Sequence, residues 1–311
     1  MNPSHIIVAG LELPALAPSH KLHTVLISAL RQQSLMAIGP MLMPPWNADF
    51  FGLDRATIFQ ASTPKEQTQI LQHACQGLLQ EVYTLEKAGV GYMAKMTLLA
   101  ETIEERMLYA LFSAHKAMHL AQLRPLVPQA QTPKCCDAFF QRLEALLECA
   151  DRSVLLLITQ VVLEGWGISQ YRHLSQYCCH PMLGELFQHF LNMQATHHLA
   201  GTTLFDRAHL SSQSYEMIVE ALSDFLQVVR LGPQRLVSAI AGVKGAPDPN
   251  GDPGELSSAQ TIRLLQDLEA ERYSAGRLAL VRALLEPVAP DVVAVLAQRN
   301  LFTPLPPEAC V

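Results

Sequence analysis

Charge is scarce in this chain of 311 residues, of which only 16% are Asp, Glu, Lys or Arg. The 22 basic residues are dispersed and outnumbered by 28 acids. No Lys/Arg-rich cluster occurs, so nucleic-acid binding through phosphate neutralisation is not expected. An uninterrupted apolar run of about 18 residues is also missing, and no membrane span is expected. Met1 to Ala15 lacks a basic stretch followed by a long apolar one, so no secretory leader is expected. There is no glycine-rich phosphate loop and no nucleophile elbow, which removes support for nucleotide binding and for Ser/His/Asp hydrolysis. The seven cysteines include two adjacent pairs, Cys135-Cys136 and Cys178-Cys179. Adjacent residues do not have zinc-ligand spacing. The expectation is a reduced cytoplasmic protein whose thiols act as small apolar side chains, with a redox role for the pairs as the alternative.

What is present points to helices. Half of the residues are apolar, which excludes disorder for most of the length and suffices for one large domain or two small ones. Strand-like alternation is rare, while Leu, Ala and Gln abound, so an all-α fold is expected. Thr63-Pro64-Lys65-Glu66 combines an N-cap, a proline at N1 and an acid at N3, a strong helix start. Thr102-Ile103-Glu104-Glu105 repeats the capping pattern, and His180-Pro181 opens another helix. Four long helices are expected, near 64–98, 102–124, 136–177 (with a possible break near Asp151) and 181–207. A helix is also expected near His20 to Ile38. Shorter ones follow near 212–230 and 232–242, and across 257–300 with a stop near Glu286-Pro287. Asp248-Pro249-Asn250-Gly251-Asp252 faintly matches a calcium loop, but Ala259 stands where that pattern needs glutamate, so an ordinary turn-rich loop is expected.

The chemistry lies in a repeat. Leu85-Glu86-Lys87-Ala88-Gly89 on the first long helix pairs with Leu163-Glu164-Gly165-Trp166-Gly167 on the third. Lys116-Ala117-Met118-His119 on the second pairs with Gln194-Ala195-Thr196-His197 on the fourth. Glu86 and Glu164, Lys116 and Gln194, and His119 and His197 are each 78 residues apart. In a helical hairpin the chain climbs, turns near Glu101 or Cys179, and descends by an equal length. Glu86 should therefore face Lys116 and His119, and Glu164 should face Gln194 and His197. Residues at i and i+3 share a helix face, so all six could converge at mid-height in a bundle.

In these residues the chain resembles the ferritin-like di-iron carboxylate superfamily, which includes ferritins, rubrerythrins and ribonucleotide reductase small subunits. The resemblance covers about residues 64 to 207. That family carries one glutamate on each of two helices and a Glu-x-x-His on each of the other two. It implies a ferritin-like four-helix bundle at 64–207, an N-terminal segment at 1–63 packed on it, and a C-terminal helical extension at 208–311. It implies Glu86, His119, Glu164 and His197 as metal ligands. Both Glu-x-x-His glutamates are replaced, by Lys116 and Gln194, as in some metal-free ribonucleotide reductase small subunits. Leu123 stands where many members carry a radical tyrosine, so radical generation is not implied.

The replacements leave three options. One iron or manganese ion is held by Glu164, His197 and Glu86 or His119, with His115 as a substitute ligand. Alternatively no metal is held, and Lys116 and Gln194 act on a small-molecule substrate in the bundle interior. Otherwise the site is an inactive relic whose Lys–Glu pair holds the bundle together. The first two describe an oxidoreductase of the di-iron oxygenase type with an altered centre, and the third a pseudoenzyme used as a binding scaffold. Loss of both carboxylates argues against iron storage. Gly165 and Gly167 reflect either close helix packing or a π-bulge that re-aims Glu164. The terminal extensions either cap a substrate tunnel or form a homodimer interface.

Overall fold

The structure is a computed structural model that describes residues 8–11, 13, 19–31, 38, 41, 43–127, 138–245 and 255–311. Every regular element among them is a helix, and the fold class is all-α. In chain order these are α1 (Lys21–Arg31), α2 (Thr57–Gln60), α3 (Pro64–Leu99), α4 (Ile103–Leu123), α5 (Ala138–Glu148) and α6 (Arg152–Leu155). A π-helical stretch, Leu156–Leu163, leads into α7 (Glu164–Gln176). Then come α8 (Pro181–Leu204), α9 (Ser212–Arg230), α10 (Gln234–Lys244), α11 (Ser258–Asp267), α12 (Ala270–Leu285) and α13 (Pro290–Gln298). Cys135-Cys136 and the loop around Asp248 lie outside the described residues.

The starts follow the capping chemistry. Thr63 and Glu66 exchange bonds across the first turn of α3: the Thr63 N–H donates to Glu66 Oε2 at 2.8 Å, and the Glu66 N–H donates to Thr63 Oγ1 at 3.4 Å. Lys244 beside it, with these bonds, holds the Glu66 carboxyl down at about 2. Thr102 accepts the Glu105 N–H at α4, and His180 Nδ1 accepts the Leu183 N–H at α8. The break foreseen near Asp151 falls between α5 and α6. Two differences from the expected helices stand out. The third long helix winds as a π-helix over Leu156–Leu163. The helix expected across 257–300 breaks at Glu269, a non-glycine residue at φ 52°.

The chain divides into two compact units, Met1–Pro40 with Leu79–Arg152, and Met41–Leu78 with Ser153–Val311. In the first, residues 79–99 of α3 run antiparallel to α4. Lys95 Nζ donates to the carbonyls of Leu147 and Cys149, both at 2.6 Å, closing the exposed carbonyl end of α5. Arg152 Nη2 lies 3.1 Å from Glu105 at the start of α4. The segment 8–11 lies across α3. The Val8 N–H donates to Glu148 Oε1 at 2.7 Å, and Lys87 Nζ donates to the carbonyls of Leu11 and Leu13 at 2.7 and 3.0 Å. Gly91 lets the Val8 carbonyl come against the helix backbone, where a side chain would collide with it.

In the second unit α7 and α8 form a hairpin, and the π-helical stretch packs on α8, α9 and α12. The span Arg152–Gln176 is long and apolar enough to cross a membrane, yet Val154 to Val162 are buried among protein side chains, as in a core helix. Trp46 is fully buried and donates its Nε1–H to the Leu174 carbonyl at 3.1 Å. A further apolar cluster joins Leu53 and Phe59 to Ile70 of α3, Ile240 of α10 and Leu264 of α11.

Substituting Gly91→Ala should displace the Val8 carbonyl and loosen residues 8–11. Overpacking of this kind costs about 1–3 kcal/mol. Limited proteolysis should then cut near residue 10 faster than in the parent chain, and an unchanged cleavage rate would contradict the close approach.

Candidate functional site

All six residues singled out by the repeat are buried polar groups. Burial of Glu, Lys and His requires compensation, because an unpaired charge in the interior is costly. Each trio supplies part of that compensation itself.

In the first unit α3 supplies Glu86, and α4 supplies Lys116 and His119, one helical turn apart. Lys116 Nζ donates to Glu86 Oε1 at 3.2 Å, and His119 Nδ1 lies 2.9 Å from Glu86 Oε2. With Glu86 ionised, an Nδ1–H tautomer of His119 donates to it. Glu86, Lys116 and His119 are 1%, 3% and 1% exposed. The ammonium and carboxylate thus neutralise each other away from solvent. Gly89, one turn beyond Glu86, makes room for the lysine: a methyl group there would lie 3.0 Å from Lys116 Cδ and 3.1 Å from Cε.

The second unit repeats this layout with longer contacts. His197 Nδ1 lies 3.4 Å from Glu164 Oε2, and Gln194 Nε2 donates to the Glu164 backbone carbonyl at 3.4 Å. Gly167, one turn beyond Glu164, faces the Gln194 amide, where a methyl would lie 2.6 Å from Nε2. Gln160, fully buried on the π-helical stretch, donates Nε2–H to the His197 carbonyl at 2.9 Å. A π-helix accommodates more residues per turn than an α-helix, so this stretch sets the rotation at which Glu164 enters α7. Close packing at Gly165 and Gly167 and a π-helical stretch before Glu164 are therefore both present.

The repeat reaches beyond the six residues. The caps Thr102 and His180 are 78 apart, as are the glycines Gly89 and Gly167. So are two aromatic pairs on the second helix of each hairpin. Tyr109 meets Phe112 edge-on at 6.0 Å, and Phe187 meets Phe190 edge-on at 5.8 Å. Edge-to-face pairs at such spacing contribute about 0.5–1.5 kcal/mol beyond burial. The same hairpin is thus built twice, with matched helix starts, aromatic layer, glycine and polar trio.

Other candidates have structural surroundings. Trp166 packs edge-on against Phe225 and lies under the Arg277 guanidinium, 5.3 Å from its ring centre. His173 sits among Phe50 and Tyr177, and burial with nearby Arg277 lowers its pKa. Tyr171 packs on Phe187 and Phe190. His115 is half-buried beside Phe112, and a methyl at Gly165 would press on the ring of His198. Glu101 and Glu105 face Arg152.

The residues of the first trio do not suit a di-iron centre. A divalent ion on Glu86 would share the carboxylate with an ammonium, and like charges that close in the interior disfavour each other strongly. The glycine opposite the lysine stem leaves space for it. Among the described residues no group of three or more His, Cys, Asp and Glu side chains is arranged to hold a metal ion. No family model, no curated protein and no solved structure matches this chain.

Lys116→Met should strand the Glu86 carboxylate and cost about 3–5 kcal/mol in denaturant unfolding. The double variant Glu86→Gln, Lys116→Met should recover most of that loss. Additive losses in the two single variants and their combination would show that the pair does not interact.

Proposed function

We propose that this chain is a ferritin-like pseudoenzyme: a duplicated helical-hairpin bundle, related to the di-iron oxidoreductases, that serves as a binding scaffold. The observation that carries this reading is the buried Lys116–Glu86 pair. The lysine occupies a position where the family pattern has a metal-binding carboxylate. Its positive charge satisfies Glu86 without a metal, and Gly89 accommodates its stem. In the second hairpin Gln194 stands at the matching position and donates to the Glu164 backbone carbonyl. The polar trios then act as registration devices, fixing how α3 meets α4 and how α7 meets α8, because a shift of either helix would leave a buried carboxylate unpaired.

The second hairpin supports an alternative. The Glu164–His197 contact is longer than its counterpart, at 3.4 Å against 2.9 Å, and the residue at the lysine position is the neutral Gln194. One iron or manganese ion on Glu164 and His197 would make the chain a mononuclear oxidoreductase of the same ancestry, with Gln194 orienting a substrate.

Elemental analysis after expression with iron, manganese and zinc supplied separates the two. The scaffold reading expects far less than one equivalent of metal per chain. Restoring both carboxylates with Lys116→Glu and Gln194→Glu should destabilise the metal-free chain, and added manganese should raise its melting temperature, since a ligand bound only by the folded state stabilises it. One tightly held equivalent in the parent chain would favour the mononuclear oxidoreductase, and two equivalents would refute the assignment of Lys116.

A further inference from the structure

The duplication supplies an internal control for the outer surface of each hairpin. On α8 the solvent face carries Glu185, Gln188, His189 and Asn192, all exposed. The positions 78 residues earlier on α4 are Met107, Ala110, Leu111 and Ala114, also exposed. With Ile103 before them and Ala117 after, they form an unbroken apolar stripe along one helix face. Met107 is 60% and Leu111 57% exposed. The same place in the same hairpin is thus polar in one copy and apolar in the other, so the hairpin itself does not require the apolar residues.

A second unpartnered apolar face lies in the same unit. Leu22, Val25 and Leu26 of α1 are all exposed, and with Ala29 they follow the i, i+3, i+4, i+7 pattern. Within one copy both faces stay uncovered, so they do not cover each other. Their dimensions are compatible. The stripe from Ile103 to Ala117 extends about 21 Å at 1.5 Å per residue, and α1, at about 16 Å, fits within it. The sequence of α1 contains Lys21 and Arg31 and no acid, whereas the stripe begins beside the exposed Glu101 and Glu104, with Arg106 the one exposed base there, so that end is net acidic.

We propose that the apolar stripe of α4 is the docking surface for α1 of a second copy of this chain. The exchange is reciprocal: each copy gives its α1 and receives its partner's, which closes the assembly as a two-fold dimer and doubles the buried contact. The proposal stands apart from the assignment of the buried trios, since it uses none of them.

Sedimentation equilibrium on the full chain tests it with three samples. The parent chain should be a dimer at micromolar concentration. Leu26→Glu should weaken dimerisation at least about tenfold, as expected for loss of a central apolar anchor. The variant Met107→Glu, Ala110→Gln, Leu111→His, Ala114→Asn should do the same while keeping its helical circular dichroism, because α8 carries those four residues in an equivalent hairpin. Mixing the two variants should restore a weaker dimer, as the intact α1 of one meets the intact α4 of the other. A monomeric parent chain would overturn the proposal. So would a dimer that survives either variant, or a mixture that stays monomeric. If the parent chain is monomeric but binds phosphatidylserine vesicles, and Leu26→Glu abolishes that binding, α1 is a membrane-surface helix instead.

Discussion

A lysine ammonium and a glutamate carboxylate, 3.2 Å apart and both nearly inaccessible to water, constrain the first hairpin more than any other contact described. Neither charge can be buried alone, so the two helices that carry them have one acceptable register. A slide of α4 by one turn along α3 would separate the pair and leave both groups costly. The surrounding residues suit this demand. Gly89 removes a side chain from the path of the lysine stem, and His119 takes the second carboxylate oxygen. Apolar packing supplies most of the adhesion between helices but discriminates poorly between registers; the buried pair supplies the discrimination.

The second hairpin solves the same problem with less charge. Gln194 reaches the Glu164 backbone carbonyl, not its carboxylate, and the matching glycine receives an amide instead of a long cationic stem. Gln160 adds a bond to the His197 carbonyl from a π-helical stretch that the first hairpin lacks. Two copies of one design have thus diverged in their interiors, from a lysine to a glutamine, and on their outer faces, from apolar to polar. Divergence inside bears on chemistry, because a buried lysine in one hairpin and a glutamine in the other alter what each site can hold. Divergence outside bears on association, because only one hairpin presents an apolar stripe.

Much of this was legible in the sequence because it rests on local signals. The starts of α3, α4 and α8 are announced by Thr63 with Glu66, by Thr102, and by His180 with Pro181, and capping is a short-range interaction. The buried trios were legible because a fixed offset of 78 residues repeats residue type as well as spacing. Gly89 and Gly167 share that offset, yet their purpose depends on a side chain thirty or so positions away that no local pattern reveals. The π-helix was hidden for another reason. Leu156-Leu157-Ile158-Thr159-Gln160-Val161-Val162-Leu163 is apolar nearly throughout, and a segment buried on all sides has no periodicity from which to read its winding. The solitary Gln160 in that run was the available clue. The break at Glu269 carries no glycine or proline, so no local breaker announces it in the sequence. How the terminal segments associate was left open by the sequence, and the outer face of α4 becomes informative only when it is laid beside the face of α8.

The central claim is that the Lys116 ammonium satisfies the buried carboxylate that a metal would otherwise need. Manganese titration followed by NMR of the histidine rings tests this directly, since a paramagnetic ion broadens resonances near it. If Lys116 stands in for the cation, the His119 and His197 ring signals should persist through a stoichiometric excess of manganese, and should broaden only when both carboxylates are restored. Saturable broadening of the His119 signals in the unaltered chain, complete near one equivalent, would contradict the claim.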